Sequence, residues 1–575
     1  MAPAARSAAP LTNASALTAD SPRAPPIPSL RTAGTDFVLL VAFIAAAGVG
    51  SLLLGQDVNW DLQNYHYYNP WAWWHGRIFT YDLAAAQIQT FLNPLLDLPF
   101  YGMVTADWAP RVIAFVLAIP AAIAAFFLCK LLLLMFGDLP RAQRMIAVAS
   151  SLAIGVTSAM AIGELGSTMN EWPLAALLML ALWLIARELK RAEAGSIPMR
   201  TLLLAGVIVG LASGAKLTAA TFAVGLCGAL LVRGPYTWPA FRVRFADASW
   251  FALGVIVGTA IALGPWAYAL WMHFDSPIFP FGNQWIRSPW WESRPIPMRS
   301  ATFGPKSLAE WWVFPFKLLS PPGFYVAEVL YRDARFPLMW ALALLAAVAW
   351  LARRLRRKAT QSVASGIGAA WRVVVLFVII SFVLWTAQHS IYRYLLTLDL
   401  LTGALIVGLL GKLCPPRFAI AAAVLGAVML IATTRFANWG RIDFGDRWFE
   451  VKAQLPRVEP NAAVLITTGE AVSYVIPMLP ASSRYLGGLN TIVNPWGPRT
   501  KLLDTVRTIV RDHSGPLYQL TYPPEGKEVL AAYGLARTTD CSVIITNMPT
   551  SPIELCRLVR LPSSALREVP VASRP

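Results

Sequence analysis

Long apolar runs constrain the folding of this chain more than any other feature of its sequence. Several of them reach about 17–25 residues, the length that a helix needs to cross roughly 30 Å of hydrocarbon. Inside a bilayer every backbone N–H and C=O must be paired within the segment, so these runs are predicted to be helices. Hydrophobic residues make up 57% of the 575 positions and charged residues only 14%. The sequence therefore predicts an all-α polytopic membrane protein and excludes a soluble one.

The basic residues between the apolar runs predict the direction of each span. The predicted spans are 36–55, 111–136, 145–162, 172–187, 201–213, 217–232, 249–271, 337–352, 370–387, 394–412 and 418–434. Lys and Arg precede the first span and follow the second, fourth, sixth, eighth and tenth, whereas the intervening short connections nearly lack them. By the positive-inside rule the N-terminus is cytoplasmic and the C-terminus extracytoplasmic. The net charge of +17 resides in these loops, which argues against binding of nucleic acid.

The segment 201–232 is too short for two full spans. Basic residues flank both of its ends, so the chain must enter the membrane and return within it. We expect two short helices, with a break at Ser213-Gly214-Ala215-Lys216. Such breaks are tolerated in a membrane where they are buried in protein or line a wet cavity.

Sequence character divides the chain into a tail, a transmembrane domain with two long outer loops, and a last part with alternating polar and apolar runs. The predicted parts are a disordered cytoplasmic tail at 1–35, a transmembrane domain at 36–434 with outer loops 56–110 and 272–336, and a small extracytoplasmic α/β domain at 435–575. Cys541 and Cys556 lie in the last domain. An oxidising compartment would let them pair, and two free cysteines are equally compatible with the sequence.

The first outer loop holds the densest polar chemistry of the chain. Five of the 31 acidic residues and two of the five histidines lie in it. Carboxylates and amides bind sugar hydroxyls and aromatic faces stack on C–H patches, so this mixture is typical of a carbohydrate site. A carboxylate beside an acceptor hydroxyl can also act as a general base. The candidate residues in this loop are Asp57, Asp61, Asn64, Tyr65, His66, Asp82 and Asn93.

Two structural explanations compete with a carbohydrate site. The carboxylates, Asp82 and Asp97 above all, could cap short interfacial helices. The Trp and Tyr residues of the loop could form a belt at the membrane interface, and we expect this of most of them. The others could stack on a sugar or pack against an isoprenoid chain.

The motif Trp60-Asp61-Leu62-Gln63-Asn64-Tyr65-His66, directly after the first span, resembles the acidic first-loop motif of the GT-C superfamily of membrane glycosyltransferases. Segments 93–97, 210–218 and 391–394 add to the resemblance, which covers roughly residues 36–434. Many members carry an adjacent acidic pair, whereas Asp57 and Asp61 are four residues apart. Which of the two is the base therefore stays open.

The resemblance implies inverting transfer of a sugar from a polyprenyl-phosphate carrier to an extracytoplasmic lipid, glycan or protein. A carboxylate would deprotonate the acceptor hydroxyl, and cations would stabilise the leaving phosphate. Lys216 and Arg393 are candidate cations, with Arg335 a third, although each could instead reach towards lipid headgroups. Glu164, Glu171 and Tyr392 are further candidates to contact substrate.

The same resemblance implies a location in the bacterial inner membrane, with the lipid bilayer, the lipid-linked donor and an envelope acceptor as partners. It implies no cofactor, and dependence on a divalent metal stays open. Two other functions stay open as well. One is a transporter or flippase for lipid-linked saccharides, and the other is a non-catalytic subunit of their assembly machinery.

Overall fold

The computed structural model describes residues 33–191, 197–294, 303–320, 325–356, 368–452, 455–523 and 527–562. Almost all of the predicted tail at 1–35 lies outside these ranges. Helices dominate the described chain up to residue 434. They are α1 (Ala33–Leu54), α2 (Tyr68–Trp74), α3 (Leu98–Thr105), α4 (Pro110–Leu117), α5 (Ile119–Met135), α6 (Arg141–Val156), α7 (Ala159–Gly163), α8 (Glu171–Arg191), α9 (Met199–Ala215), α10 (Ala220–Val232), α11 (Trp238–Phe274), α12 (Asn283–Ile286), α13 (Leu308–Lys317), α14 (Arg335–Arg356), α15 (Ala369–Gln388), α16 (Leu396–Leu413) and α17 (Pro416–Thr433).

Eight helical stretches within the described ranges are long and apolar enough to cross a membrane. They involve α1, the successive α4 and α5, α8, α11, α14, α15, α16 and α17. The shorter helices α9 and α10 are also apolar, and α6 has 16 residues. Together these segments match the predicted spans one by one. The chain is a multi-pass membrane protein, and the prediction of this fold class is confirmed.

Helices α9 and α11 pack backbone against backbone along facing glycines. Gly206 and Gly210 of α9 lie against Gly254 and Gly258 of α11. A Cβ added to Gly210 would lie 2.3 Å from the carbonyl oxygen of Val255. Small residues let helix backbones approach closely in a membrane, where van der Waals packing drives association. This contact fixes the end of α9.

The predicted break within 201–232 is confirmed. Helix α9 ends at Ala215, and Lys216 has an extended backbone (φ −144°, ψ 114°) before a short 3-10 turn at Leu217–Ala219. Nearby, the Asn93 side chain donates hydrogen bonds to the carbonyl oxygens of Gly214 and Ala262, each at 3.0 Å. Asn93 therefore ties the first loop to the break, and its predicted contact with substrate stays a prediction.

A small α/β unit follows the last helix of the bundle. Its strands are numbered after β1 (Gln56–Asp57) and β2 (Arg441–Ile442), which pair with each other. The remaining elements are β3 (Ala463–Ile466), β4 (Arg484–Gly487), α18 (Lys501–Asp512), β5 (Leu517–Thr521), α19 (Lys527–Ala531), β6 (Leu535–Ile544) and β7 (Ile553–Arg560). The sheet order is β4-β3-β5-β7-β6. Strand β3 is parallel to β4 and β5, whereas β7 is antiparallel to β5 and β6. A disulfide between Cys541 and Cys556 joins β6 to β7.

The α/β unit and the first loop share one apolar core. Tyr65 and Tyr67 of the loop belong to the same buried cluster as Phe449, Ile466 and Tyr474. The rings of Tyr67 and Phe449 lie 4.7 Å apart, centroid to centroid. The unit therefore packs on the end of the bundle where α1 finishes.

Candidate active site

Asp57 is held in the structure by four hydrogen bonds. Its carboxylate accepts the backbone N–H of Asn59 at 3.2 Å and the amide Nδ2 of Asn59 at 2.7 Å. Thr168 donates both its backbone N–H and its hydroxyl to Oδ2, each at 2.8 Å. The residue is 2% exposed. Asp57 thus joins the first loop to the 164–170 connection.

Asp61 begins a single turn of π-helix, Leu62–His66. Backbone hydrogen bonds in a π-helix run between residues five apart, so Asp61 and His66 lie about one turn from each other. Such turns are rare and are frequent at functional sites. Neither Asp61 nor Asp97 caps its following helix through the side chain. The capping explanation therefore does not account for either carboxylate.

Asp61 forms an ion pair with Arg393. Its Oδ2 accepts a hydrogen bond from Nη1 at 2.7 Å across 332 positions of sequence, and both side chains are largely buried. Burial by itself raises the pKa of the Asp61 carboxyl, but Arg393, His66 and Lys216 outweigh it and hold that pKa below its usual value. Glu328 also approaches the guanidinium, with Oε1 3.9 Å from Nε. Asp61 is consequently a carboxylate at neutral pH.

Lys216 lies beside this pair and is held by Glu171 at the start of α8. The ring of Tyr394 lies between the two cations, with its centroid 5.2 Å from Nζ of Lys216 and 5.1 Å from Cζ of Arg393. Cations over an aromatic face are stabilised by its negative potential. Asp61, Lys216 and Arg393 thus converge at the end of the bundle where α1 finishes, as the sequence predicted.

Glu164 is a second buried carboxyl at this end of the bundle. Both of its oxygens are buried and have no hydrogen-bond partner within the described residues. Burial, reinforced by the carboxylate of Glu171, raises its pKa well above the usual value, and Lys216 and Arg393 only partly oppose this. Burial therefore favours the protonated, uncharged form of Glu164 in the folded state.

His66 is anchored at one ring nitrogen and unpaired at the other. Nδ1 lies 2.7 Å from Oδ1 of Asp97, and the same oxygen accepts Nδ2 of Asn170 at 2.9 Å. Nε2 is buried and lacks a partner within the described part of the chain. The ring lies 4.1 Å from that of Tyr65. The side-chain oxygen of Asn64 is likewise buried and has no hydrogen-bond partner within the described residues.

Asp82 lies in the contact between the loop and the sheet. Its carboxylate accepts Nε and Nη2 of Arg77 at 2.9 and 2.8 Å, the hydroxyl of Tyr68 at 3.2 Å and the backbone N–H of Tyr485 at 3.0 Å. Burial raises the pKa of Asp82 in spite of Arg77. Asp82 thus holds the loop against the sheet, and its predicted contact with substrate stays a prediction.

Tyr392 and Arg335 belong to the core of the bundle. Tyr392 is 1% exposed and donates its hydroxyl to Asp399 at 3.1 Å. Arg335 is fully buried and pairs with Asp333 at 2.9 Å. Its Nη2 donates to the backbone and hydroxyl oxygens of Thr157, and its Nε donates to the carbonyl oxygen of Ile154. The expected roles of Tyr392 and Arg335 at the substrate stay predictions.

Most aromatic residues of the first loop do not form an interfacial belt. Tyr65, Tyr67, Tyr68, Trp71 and Tyr101 are buried, and Trp60 is half-buried. The exposed ones are Trp73, Trp74, Tyr81 and Trp108. Only this minority is exposed enough to form a belt, and for these residues the belt stays a prediction.

Sequence reasoning missed several residues around the site. Glu328 and Asn170 stand in no recognisable motif, and Tyr394 was noted only as a neighbour of Arg393. Within the described ranges, no group of three or more His, Cys, Asp or Glu side chains is arranged to hold a metal ion.

No family model and no curated protein matches the chain. Among solved structures it is similar to ArnT from Cupriavidus metallidurans bound to undecaprenyl phosphate, with 12% identity and a TM-score of 0.45 over 91% of this chain and 98% of that one. It is also similar to the oligosaccharyltransferase AglB from Archaeoglobus fulgidus in complex with an inhibitory peptide and a dolichol-phosphate, with 12% identity and a TM-score of 0.45 over 86% and 70%. An Archaeoglobus fulgidus oligosaccharyltransferase tethered to an acceptor peptide matches with 11% identity and a TM-score of 0.40 over the same shares, 86% and 70%. At these values the similarity does not by itself assign a function.

Proposed function

We propose that this chain is a membrane glycosyltransferase of the GT-C type. It moves a sugar from a polyprenyl-phosphate carrier to an extracytoplasmic acceptor, with inversion at the anomeric carbon. The observation that carries the proposal is the burial of one carboxylate and two cations together at one end of the bundle. Asp61, Lys216 and Arg393 come from segments far apart in sequence, and a lipid-phosphate donor needs this combination of charges.

An inverting displacement needs a base for the acceptor hydroxyl and positive charge at the leaving phosphate. In this proposal Asp61 is the base, while Arg393 and Lys216 bind the phosphate. Both cations are neutralised by carboxylates in the structure, Arg393 by Asp61 and Lys216 by Glu171. A phosphate that engages Arg393 would compete with Asp61 and release its carboxylate for the acceptor. Donor binding would thereby prepare the base.

Asp61 is a better candidate than Asp57 for this role. The oxygens of Asp57 are already engaged by Asn59 and Thr168. These contacts leave the Asp57 carboxylate little capacity to accept a further hydrogen bond from an acceptor hydroxyl. Asp61 has one strong partner, and that partner is a group that the phosphate would compete for.

The proposed location is the bacterial inner membrane, with a cytoplasmic N-terminus and an extracytoplasmic sheet unit. Eleven crossings put the start of α1 and the sheet unit at opposite ends of the bundle. The basic residues Lys190 and Arg191 in the last turn of α8 lie at the end opposite to Asp61. A disulfide in the sheet unit suits an oxidising compartment.

The test is transfer by the purified full-length protein in lipid nanodiscs. The donors are undecaprenyl-phosphate-linked hexose, hexosamine and aminopentose in turn, and the acceptors are envelope membranes from cells that lack the protein. We expect Asp61→Asn to reduce transfer by about 10²-fold or more, the scale of general base catalysis, while thermal unfolding stays unchanged. Asp107→Asn is the matched control, because Asp107 lies in the same loop but is exposed.

Transfer by Asp61→Asn at the wild-type rate would show that Asp61 is not the base. If the protein in closed lipid vesicles moved a labelled donor from one leaflet to the other without any chemical transfer, this result would instead favour the flippase. Asp57→Asn separates the two acids, since we expect it to lower the unfolding temperature through the loss of its contacts with Thr168.

A further inference from the structure

His66 and Asp97 form a buried pair to which the proposed function assigns no role. Asp97 accepts from Nδ1 of His66 and is itself held by Asn170. A carboxylate on one ring nitrogen fixes the tautomer, so the proton resides on Nδ1 and Nε2 carries a lone pair. That Nε2 is buried and has no hydrogen-bond partner among the described residues, in a side chain that is only 1% exposed. A buried acceptor left unpaired destabilises the fold, so its retention needs a reason.

The π-helical turn brings this acceptor to Asp61. Residues five apart are neighbours on such a turn, and Asp61 is the N-cap of the turn whose last residue is His66. The ring of Tyr65 lies 4.1 Å from that of His66 and is tilted by 39° to it. The proposed base and the buried Nε2 of His66 thus lie within one turn of the chain.

The Asp61 carboxylate does not retain well a proton that it accepts. Arg393 stabilises its charged form through a direct hydrogen bond at 2.7 Å, and a group with a lowered pKa returns a proton readily. Nε2 of His66 offers the proton a second acceptor, and its protonation turns the ring into a cation. Asp97 would then face a cation across 2.7 Å and stabilise it.

We propose that His66, oriented by Asp97, accepts from Asp61 the proton that the acceptor hydroxyl loses. This inference rests on the proposed function. The O–H bond of the acceptor breaks, and its electron pair forms the new bond to the anomeric carbon. The bond from that carbon to the phosphate oxygen breaks, and its electron pair leaves with the phosphate. The proton passes through the Asp61 carboxylate to Nε2 of His66, and returns to water when the products leave.

The tautomer of His66 can be tested without turnover. The full-length protein is labelled with ¹⁵N-histidine and reconstituted in lipid, where its five histidines give few signals and His66→Gln assigns one of them. We expect His66 to carry its proton on Nδ1, with Nε2 bare. We expect Asp97→Asn to reduce the share of this tautomer. A proton on Nε2 in the wild-type protein would overturn the proposal.

Catalysis is tested by single-turnover transfer from an undecaprenyl-phosphate-linked sugar. Glutamine is similar in size to histidine but cannot take up a proton, so we expect His66→Gln to slow the chemical step by about 10²-fold. Binding of undecaprenyl phosphate should stay within about twofold, and imidazole in the buffer should restore part of the rate of His66→Ala. Asp97→Asn should lower kcat about tenfold or more and leave KM unchanged, since Asp97 is a positioning residue.

The matched control is His75→Gln, because His75 lies in the same loop and its Nδ1 is already bonded to the carbonyl oxygen of Trp71. We expect this variant to transfer at the wild-type rate. His66→Gln at the wild-type rate, beside an inactive Asp61→Asn, would overturn this inference and leave the proposed function intact. Wild-type protein that binds the donor and transfers no sugar would overturn both.

Discussion

At the scale of single residues, Glu164 makes stability depend on pH in an unusual direction. Its pKa is raised by burial and by Glu171, so the folded state holds a proton that the unfolded chain releases near its ordinary pKa. The folded state is then destabilised as the pH rises from that ordinary value through the raised one. We expect Glu164→Gln, which mimics the protonated acid, to match wild type near pH 5 and to unfold a few degrees higher near pH 8.

The measurement is thermal unfolding in one detergent across this pH range. Glu470→Gln is the control, because Glu470 is exposed, and it should follow the wild-type curve throughout. If Glu164→Gln and wild type differed equally at both pH values, the carboxyl would not be protonated in the folded state.

The sequence identified the three charges of the site but not their immediate surroundings. Lys216 stood out because a cation at a break between apolar helices is rare, and Asp61 because it follows the first span. Asp82 and Asn93 looked equally functional, yet they satisfy buried donors and carbonyls at packing contacts. A polar residue in a buried loop can bind a substrate or can satisfy buried donors and carbonyls. Only its contacts in the folded structure distinguish the two.

At the scale of helices, the close contact of α9 and α11 gives different expectations for two glycines. Alanine normally favours a helix over glycine by about 1 kcal/mol. At Gly264 of α11 a Cβ meets nothing within 4 Å apart from its chain neighbours. Because Pro265 restricts the residue before it, Gly264→Ala should gain no helix stability but should leave the unfolding temperature nearly unchanged. At Gly210 a Cβ meets the Val255 carbonyl oxygen at 2.3 Å. Gly210→Ala should therefore push the helices apart, cost about 1–3 kcal/mol and slow transfer by moving Lys216.

Thermal unfolding and sugar transfer are measured on both variants in parallel. Unchanged stability in Gly210→Ala would show that α9 and α11 can separate freely. An equal loss of stability in Gly264→Ala would show that the cost of Gly210→Ala does not come from the contact between α9 and α11.

The start of α14 is fixed by a fully buried ion pair. Arg335 and Asp333 are 0% exposed in their side chains, and Arg335 also donates to the carbonyl oxygen of Ile154 at 2.6 Å. Removal of one partner leaves a buried charge, so Arg335→Met should cost about 3–5 kcal/mol. The double variant Arg335→Met with Asp333→Leu should recover part of that loss.

Denaturation of the single and double variants checks this expectation. The surface pair Arg499 and Asp504 provides the control, since Arg499 is 84% exposed in its side chain and Arg499→Met should leave stability unchanged. An additive double variant at the buried pair would show that the two charges do not interact.

Helices were predictable to the extent that the bilayer dictates them. Span length and the apolar runs follow from the thickness of the hydrocarbon, and the break before Lys216 followed from too short a segment. The π-helical turn after Asp61 was not predictable, because no residue pattern marks a turn that tertiary packing imposes. The packing of the α9 glycines against the α11 glycines was likewise not predictable, because neither row of glycines shows in sequence which other row it contacts.

At the scale of the whole molecule, the sheet unit and the first loop are one packed body. Strand β1 pairs with β2, Leu83 bridges to Leu486 of β4, and the side-chain oxygen of Gln63 accepts the hydroxyl of Thr550 at 2.6 Å. The change in sequence character after residue 434 marked where the sheet unit begins. It could not show that the loop, hundreds of residues earlier, completes the core of that unit, because the contacting strands have no complementary pattern in sequence.

The native cysteines of the chain test the topology directly. Cys541, paired with Cys556, belongs to the sheet unit, whereas Cys414 lies between α16 and α17 at the opposite end of the bundle and is half-buried. If the site faces outwards, a membrane-impermeant maleimide added to intact spheroplasts should label Cys541 only after a reductant opens the disulfide. Cys414 should be labelled only after permeabilisation, and Cys541→Ser should remove the first signal alone. Labelling of Cys414 from outside would reverse the topology and place the Asp61 and Arg393 pair at the cytoplasmic face, where a nucleotide-linked donor would replace the lipid-linked one.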